Sequence, residues 1–161
     1  MECELRISGM VEESIVDGPG VRFAVFTQGC PHACAGCHNP ETHDFKGGKV
    51  VTADFVFALF KENPLLDGIT FSGGEPFVQP EALCRLGQKV RATGKNIVTY
   101  TGFVFEDLLV MAERNPHVAE LLELTDILID GPYIAELRDL ELQFRGSSNQ
   151  RVLDRAARKN C

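Results

Sequence analysis

Basic side chains are in short supply in this sequence. Sixteen Lys and Arg stand against 23 Asp and Glu, a net charge of −7. That argues against binding nucleic acid by phosphate neutralisation, which needs a basic patch. Long apolar runs are also missing. The longest, Phe55 to Phe60, is six residues, against about 20 needed to cross a bilayer, so no membrane partner is expected. The opening Met1-Glu-Cys-Glu-Leu-Arg6 lacks the basic start and apolar run of a secretory signal, and a cytoplasmic location is expected. Glycine and proline, 15 and 8 residues, are too few for a disordered or fibrous chain. Linkers, low-complexity stretches and internal repeats are absent. The length of 161 residues predicts one domain, residues 1–161, since a chain of this size buries roughly 70% of its unfolded surface.

Against this ordinary background stand six cysteines: Cys3, Cys30, Cys34, Cys37, Cys84 and Cys161. Three of them form Cys30-Pro-His-Ala-Cys34-Ala-Gly-Cys37, a C-x3-C-x2-C loop. Clustered thiols without a secretory signal point to metal or redox work rather than to disulfides. Thiolates are soft ligands that suit iron–sulfur clusters and zinc. Three cysteines would hold three irons of a four-iron cluster and leave the fourth open, whereas electron-transfer clusters have four cysteine ligands. The alternative is zinc, with Cys3, Cys84, Cys161 or one of His32, His38 and His43 as fourth ligand. Zinc ligands more often come as pairs joined by a longer gap, and no second pair exists here. The three histidines are read as neighbours of the loop or surface groups. Cys84 sits on an amphipathic pattern and is read as a small buried hydrophobe.

Strands and helices alternate along the chain. Strands are expected at Val21–Thr27, Gly68–Ser72, Asn96–Thr101 and Asp126–Asp130, and helices after Thr52, around Leu83–Val90 and from Phe105 to before Pro116. The tail is harder to read: a last strand is expected near Leu142–Arg145 and a short helix from Arg151. Repetition at about 30 residues indicates βαβ units, a parallel sheet and strands covered on both faces. In such sheets the loops after the strand ends build the site. The cysteine loop, Gly73-Gly74-Glu75, Tyr100-Thr101-Gly102 and Asp130-Gly131-Pro132 all follow strands.

The cysteine loop after one strand and Gly73-Gly74-Glu75-Pro76 after the next resemble the radical S-adenosylmethionine superfamily. Within it the chain resembles the activating proteins of anaerobic ribonucleoside-triphosphate reductase. The segments that carry this are Asp17-Gly-Pro-Gly-Val-Arg22, Gly29-Cys-Pro-His32, Gly36-Cys-His-Asn-Pro40, Thr70-Phe-Ser-Gly-Gly-Glu-Pro-Phe77, Tyr100-Thr-Gly102, Asp130-Gly-Pro-Tyr133 and Phe144-Arg-Gly-Ser-Ser-Asn-Gln-Arg151. Activases of pyruvate formate-lyase and small-molecule enzymes such as deazaguanine synthases share parts of the pattern. A non-catalytic metal-binding module is the reading from another class.

The resemblance implies an α/β fold, a partial, open (β/α) barrel of about five βα units. It implies that Cys30, Cys34 and Cys37 hold a 4Fe–4S cluster whose fourth iron is chelated by S-adenosylmethionine. The reduced cluster would cleave the sulfonium, and the resulting radical would take a hydrogen atom from a glycine of the partner reductase. A donor such as flavodoxin or ferredoxin would supply the electron. Gly73 and Gly74, with Glu75, would bind the methionine amino group, the glycines letting backbone approach the ligand. Thr101 and Asp130 would contact the ribose, the carboxylate or a cation, although a strand-end Asp also serves as a cap. Many relatives carry an aromatic residue just before the third cysteine. Here that residue is Gly36, which leaves His38 as the candidate for the adenine contact. Ser147, Ser148 and Asn149 would position cofactor or partner, or form a plain polar loop.

Overall fold

The computed structural model describes residues 3–32, 34–37 and 40–160. His38 and Cys161, both named above, lie outside the described residues. Seven strands form one sheet in the order β3-β1-β2-β4-β5-β6-β7. They are β1 (Glu4–Ser14), β2 (Arg22–Thr27), β3 (Lys49–Thr52), β4 (Gly68–Gly73), β5 (Asn96–Tyr100), β6 (Ile127–Asp130) and β7 (Arg151–Asp154). The helices are α1 (Ala53–Lys61), α2 (Pro80–Ala92), α3 (Phe105–Arg114), α4 (Pro116–Leu124) and α5 (Arg155–Lys159).

The centre of the sheet is parallel: β2, β4, β5 and β6 run side by side. Both margins are antiparallel, β1 with β2 and β3 on one side and β7 with β6 on the other. The architecture is thus mixed α/β, with four parallel strands at its centre.

Helix boundaries follow local chemistry. Thr52 accepts a hydrogen bond from Phe55 N at 3.0 Å and caps α1. Pro80 and Pro116 occupy first-turn positions of α2 and α4, where a missing N–H leaves no bond unmade. Asn115 caps α4 through His117 N at 3.0 Å.

The pleat separates two environments. Phe23, Val25, Ile69, Phe71 and Ile97 belong to one buried apolar cluster with Val56, Phe60, Leu83, Leu86, Leu108 and Leu121 of the helices. Each such side chain stabilises the fold by about 1.5–3 kcal/mol through burial. The alternate residues on the other face include Arg22, Phe26, Thr70, Ser72 and Tyr100, and that face carries a cavity. The helical core covers one face of the central strands, and Arg22, Ala24, Thr70 and Val98 on the other face are buried as well.

The tail departs from expectation. Residues 142–145 form a loop, with Phe144 at φ 65°. The strand is Arg151–Asp154, pairing with β6, and the helix starts only at Arg155.

Candidate functional site

A cavity of about 760 Å³ opens at the C-terminal ends of the parallel strands. Its volume suits a small-molecule ligand. Cys30, Cys34 and Cys37 line it together with Gly73, Gly74, Thr101 and Gly102. One cavity therefore gathers residues from the ends of four strands, β2, β4, β5 and β6.

The base of the cysteine loop is closed by backbone and one side chain. Gly29 N donates to Thr42 O at 2.7 Å, and Cys30 N to His43 O at 3.3 Å. Buried Gln28 sends its amide into Glu41 O at 2.8 Å and Asp44 O at 2.6 Å. Gln79 in turn donates to Gln28 O at 3.1 Å and Arg6 O at 2.8 Å. Neither glutamine is legible in the sequence, because a hub that bonds only to backbone groups leaves no spacing pattern.

The glycine pair is required by the sheet itself. Gly73 has φ +88°, and a Cβ there would sit 2.5 Å from Thr27 N. A Cβ on Gly74 would sit 2.5 Å from Gly29 O. Gly74 N donates to Thr27 O and Glu75 N to Gly29 O, both at 2.8 Å. The close approach that excludes side chains is thus between β4's end and the chain entering the cysteine loop.

Glu75 is fully buried, and its carboxylate is saturated by protein donors. Oε1 lies 2.8 Å from Thr101 Oγ1, 2.8 Å from Gly102 N and 2.6 Å from His32 Nε2. Oε2 accepts from Phe77 N at 3.0 Å and lies 2.9 Å from Thr101 Oγ1. Among the described residues lining the cavity, Gly73 and Gly74 appear but Glu75 does not.

Asp130, also fully withdrawn from water, accepts from Phe105 N at 2.7 Å, Arg151 Nε at 3.0 Å and Arg151 Nη2 at 2.5 Å. It caps α3 and pairs with Arg151, which also reaches Glu106. These partners push the Arg151 pKa up, Asp130 most and Glu106 next. The cavity wall here is Gly131 and Tyr133. Buried Ser147 accepts from Ile134 N at 3.2 Å, and Asn149 donates to Pro132 O at 2.8 Å, so the polar tail braces the 131–134 turn.

Arg22 stands at the N-terminal ends of the strands, remote from the cysteine loop. It is buried and bonds to Thr70 Oγ1, Pro19 O, Ile69 O and Asn96 O. Burial lowers its pKa to about 10 against the opposing pull of Asp67, Asp126 and Tyr100. Cys84, in α2, donates to His117 O at 3.2 Å, and its pKa is pushed up to about 12 by burial and then by Glu120 and Glu81. A thiol so protonated is an inert core group.

The three cavity-lining thiols are soft donors of the kind that suits an iron–sulfur cluster. In addition, His43 lines the cavity with a buried Nε2 that has no partner among the described residues.

A family model described as "4Fe-4S single cluster domain" matches residues 16–153. The anaerobic ribonucleoside-triphosphate reductase-activating protein of Escherichia coli K12 is 34% identical over 148 residues, 86% of this chain and 91% of that one. The protein of the same name from phage T4 is 34% identical over 143 residues, covering 85% and 86%. A pyruvate formate-lyase-activating enzyme of Clostridium pasteurianum is 46% identical over 83 residues, 48% of this chain and 35% of that one.

Proposed function

The chain belongs to the 4Fe-4S single cluster domain family and to that of the anaerobic ribonucleoside-triphosphate reductase-activating proteins, and on that premise we propose that it generates a glycyl radical on such a reductase. The observation that carries this is the shared cavity: three cysteines from one loop and the Gly73–Gly74 strand end line one space of ligand size.

Cys30, Cys34 and Cys37 would each give a thiolate to one iron, losing a proton on binding, and one iron would keep no protein ligand. When bound, the cluster and S-adenosylmethionine supply one-electron cleavage of a sulfonium and, through it, hydrogen-atom abstraction from a glycine. The chain's own work is binding, orientation and exclusion. The backbone at Gly73 and Gly74 receives the methionine end of the ligand. Phe26, Leu142 and Phe144 line the same cavity and help to keep water from it. Thr101 and Glu75 hold the strand ends together, and Asp130 with Arg151 holds the neighbouring turn.

The one-sided helical cover supports reading the sheet as a partial, open barrel in a single domain, with the cavity on its inner face. Ile15 and Val16, 75% and 71% exposed, border the mouth and give a protein partner apolar surface to meet. Among the described residues, no helix is long and apolar enough to cross a membrane. A reducing cytoplasm, with flavodoxin or ferredoxin as donor, suits an oxidation-prone thiol loop.

The local likeness to a formate-lyase activase favours a second reading, in which the partner is a different glycyl-radical enzyme. Anaerobic reconstitution with iron and sulfide, then S-adenosylmethionine and a strong reductant, tests the chemistry common to both. We expect 5′-deoxyadenosine and methionine in equal amounts, and neither from Cys34→Ala. A colourless protein holding zinc would overturn the proposal.

A further inference from the structure

His32 stands between Cys30 and Cys34 in sequence, and its ring reaches out of the cysteine loop to a different strand end. Nε2 lies 2.6 Å from Glu75 Oε1. A carboxylate offers only acceptors, so Nε2 carries the hydrogen. The side chain of Glu75 is 0% exposed and that of His32 15%, so water competes little for this bond. The ring is held on its flank by Phe103, with centroids 4.5 Å apart and planes at 77°. Its place exists because residue 102 is glycine: a Cβ there would come within 2.7 Å of His32 Cγ and Nε2.

These contacts form one lock. Thr101 Oγ1, Gly102 N and Phe77 N fix the Glu75 carboxylate from β5 and from the turn after β4. Among the described residues, His32 is the one side chain of the cysteine loop in it. We propose that His32 is a positioning residue, which sets the cysteine loop, and so the iron without a protein ligand, at a fixed separation from the Gly73–Gly74 backbone. This rests on the reading of the cavity as a cluster and S-adenosylmethionine site. It also assigns Glu75 a task other than touching the ligand: it is the anchor for His32.

The physical consequence concerns geometry rather than charge. A ligand that bridges the iron and the β4 backbone binds well only when both ends are in place. Displacement of about 1 Å in such an arrangement weakens function by up to about 100-fold.

The test uses the full chain with its cluster reconstituted, as wild type, His32→Ala and His32→Gln. The cluster is reduced and titrated with S-adenosylmethionine, and its electron paramagnetic resonance spectrum is followed alongside iron content and melting temperature. His32→Ala should hold its iron yet need about 10- to 100-fold more S-adenosylmethionine to change the spectrum, with KM raised in proportion and kcat little altered. His32→Gln, which restores a donor at similar reach, should recover most of the loss. Should His32→Ala not fold, Phe103→Leu gives the same comparison, with a smaller rise expected. A wild-type response in His32→Ala overturns the proposal, and so does a His32→Gln as weak as His32→Ala. A wild-type cluster indifferent to S-adenosylmethionine overturns instead the reading beneath it.

Discussion

Thr101 Oγ1 lies 2.8 and 2.9 Å from the two carboxylate oxygens of Glu75, and the end of β5 is thereby tied to the turn after β4. The same hydroxyl accepts from Phe103 N at 3.1 Å. Removing the hydroxyl leaves a buried carboxylate short of a donor and a backbone N–H short of an acceptor. Thr101→Val should therefore destabilise the protein by about 1–3 kcal/mol, read from urea denaturation. Thr101→Ser should lose much less.

Gly74 allows no side chain, because its Cβ would press on Gly29 O, a backbone atom that cannot turn aside. Gly74→Ala should separate the β4 end from the cysteine loop. The expected loss is about 1–3 kcal/mol of stability, as for other overpacked sites, together with a lower iron content after reconstitution. Gly94, at φ +83° but with open space around it, serves as the control: Gly94→Ala should lower stability and leave iron content unchanged.

Asp130 turns away from the cavity toward α3 and Arg151. Asp130→Asn should weaken folding by about 1–3 kcal/mol while leaving KM for S-adenosylmethionine unchanged. A raised KM at unchanged stability would instead make Asp130 a ligand contact.

Much of this arrangement was legible in the sequence. The strand ends that bear the cysteine loop, Gly73-Gly74, Thr101 and Asp130 were readable because short apolar runs stop at glycine-rich breaks. β1 and β3 were missed. β1 shows its inward residues, Leu5 and Ile7, over a short stretch before a register shift at Gly9, and β3 is four residues long. α4 was masked by Pro116, which reads as a helix stop but begins the next helix. Neither the direction in which Asp130 faces nor the His32–Glu75 bond could be read from sequence. Both depend on which face of a strand end meets which loop, and no spacing records that.

Asp126 links three parts of the sheet margin. It accepts from Ile97 N at 2.9 Å, Arg91 Nη1 at 3.0 Å and Arg155 Nε at 3.2 Å. Burial raises its pKa, but the Ile97 N–H and the two arginines outweigh this and hold it below the ordinary 3.8. A folded pKa below the unfolded one stabilises above the unfolded value, and the gain is lost as pH falls through the folded value. The melting-temperature gap between wild type and Asp126→Asn should be full at pH 6 and shrink below about pH 4. A gap independent of pH would contradict this account.

The most direct measurement mixes the reconstituted protein, S-adenosylmethionine and a reductant with purified anaerobic ribonucleoside-triphosphate reductase, and records the electron paramagnetic resonance spectrum. The account predicts a glycyl doublet on the reductase, absent with Cys34→Ala and absent when pyruvate formate-lyase is the partner. No doublet on the reductase, from a protein that still cleaves S-adenosylmethionine, would contradict it.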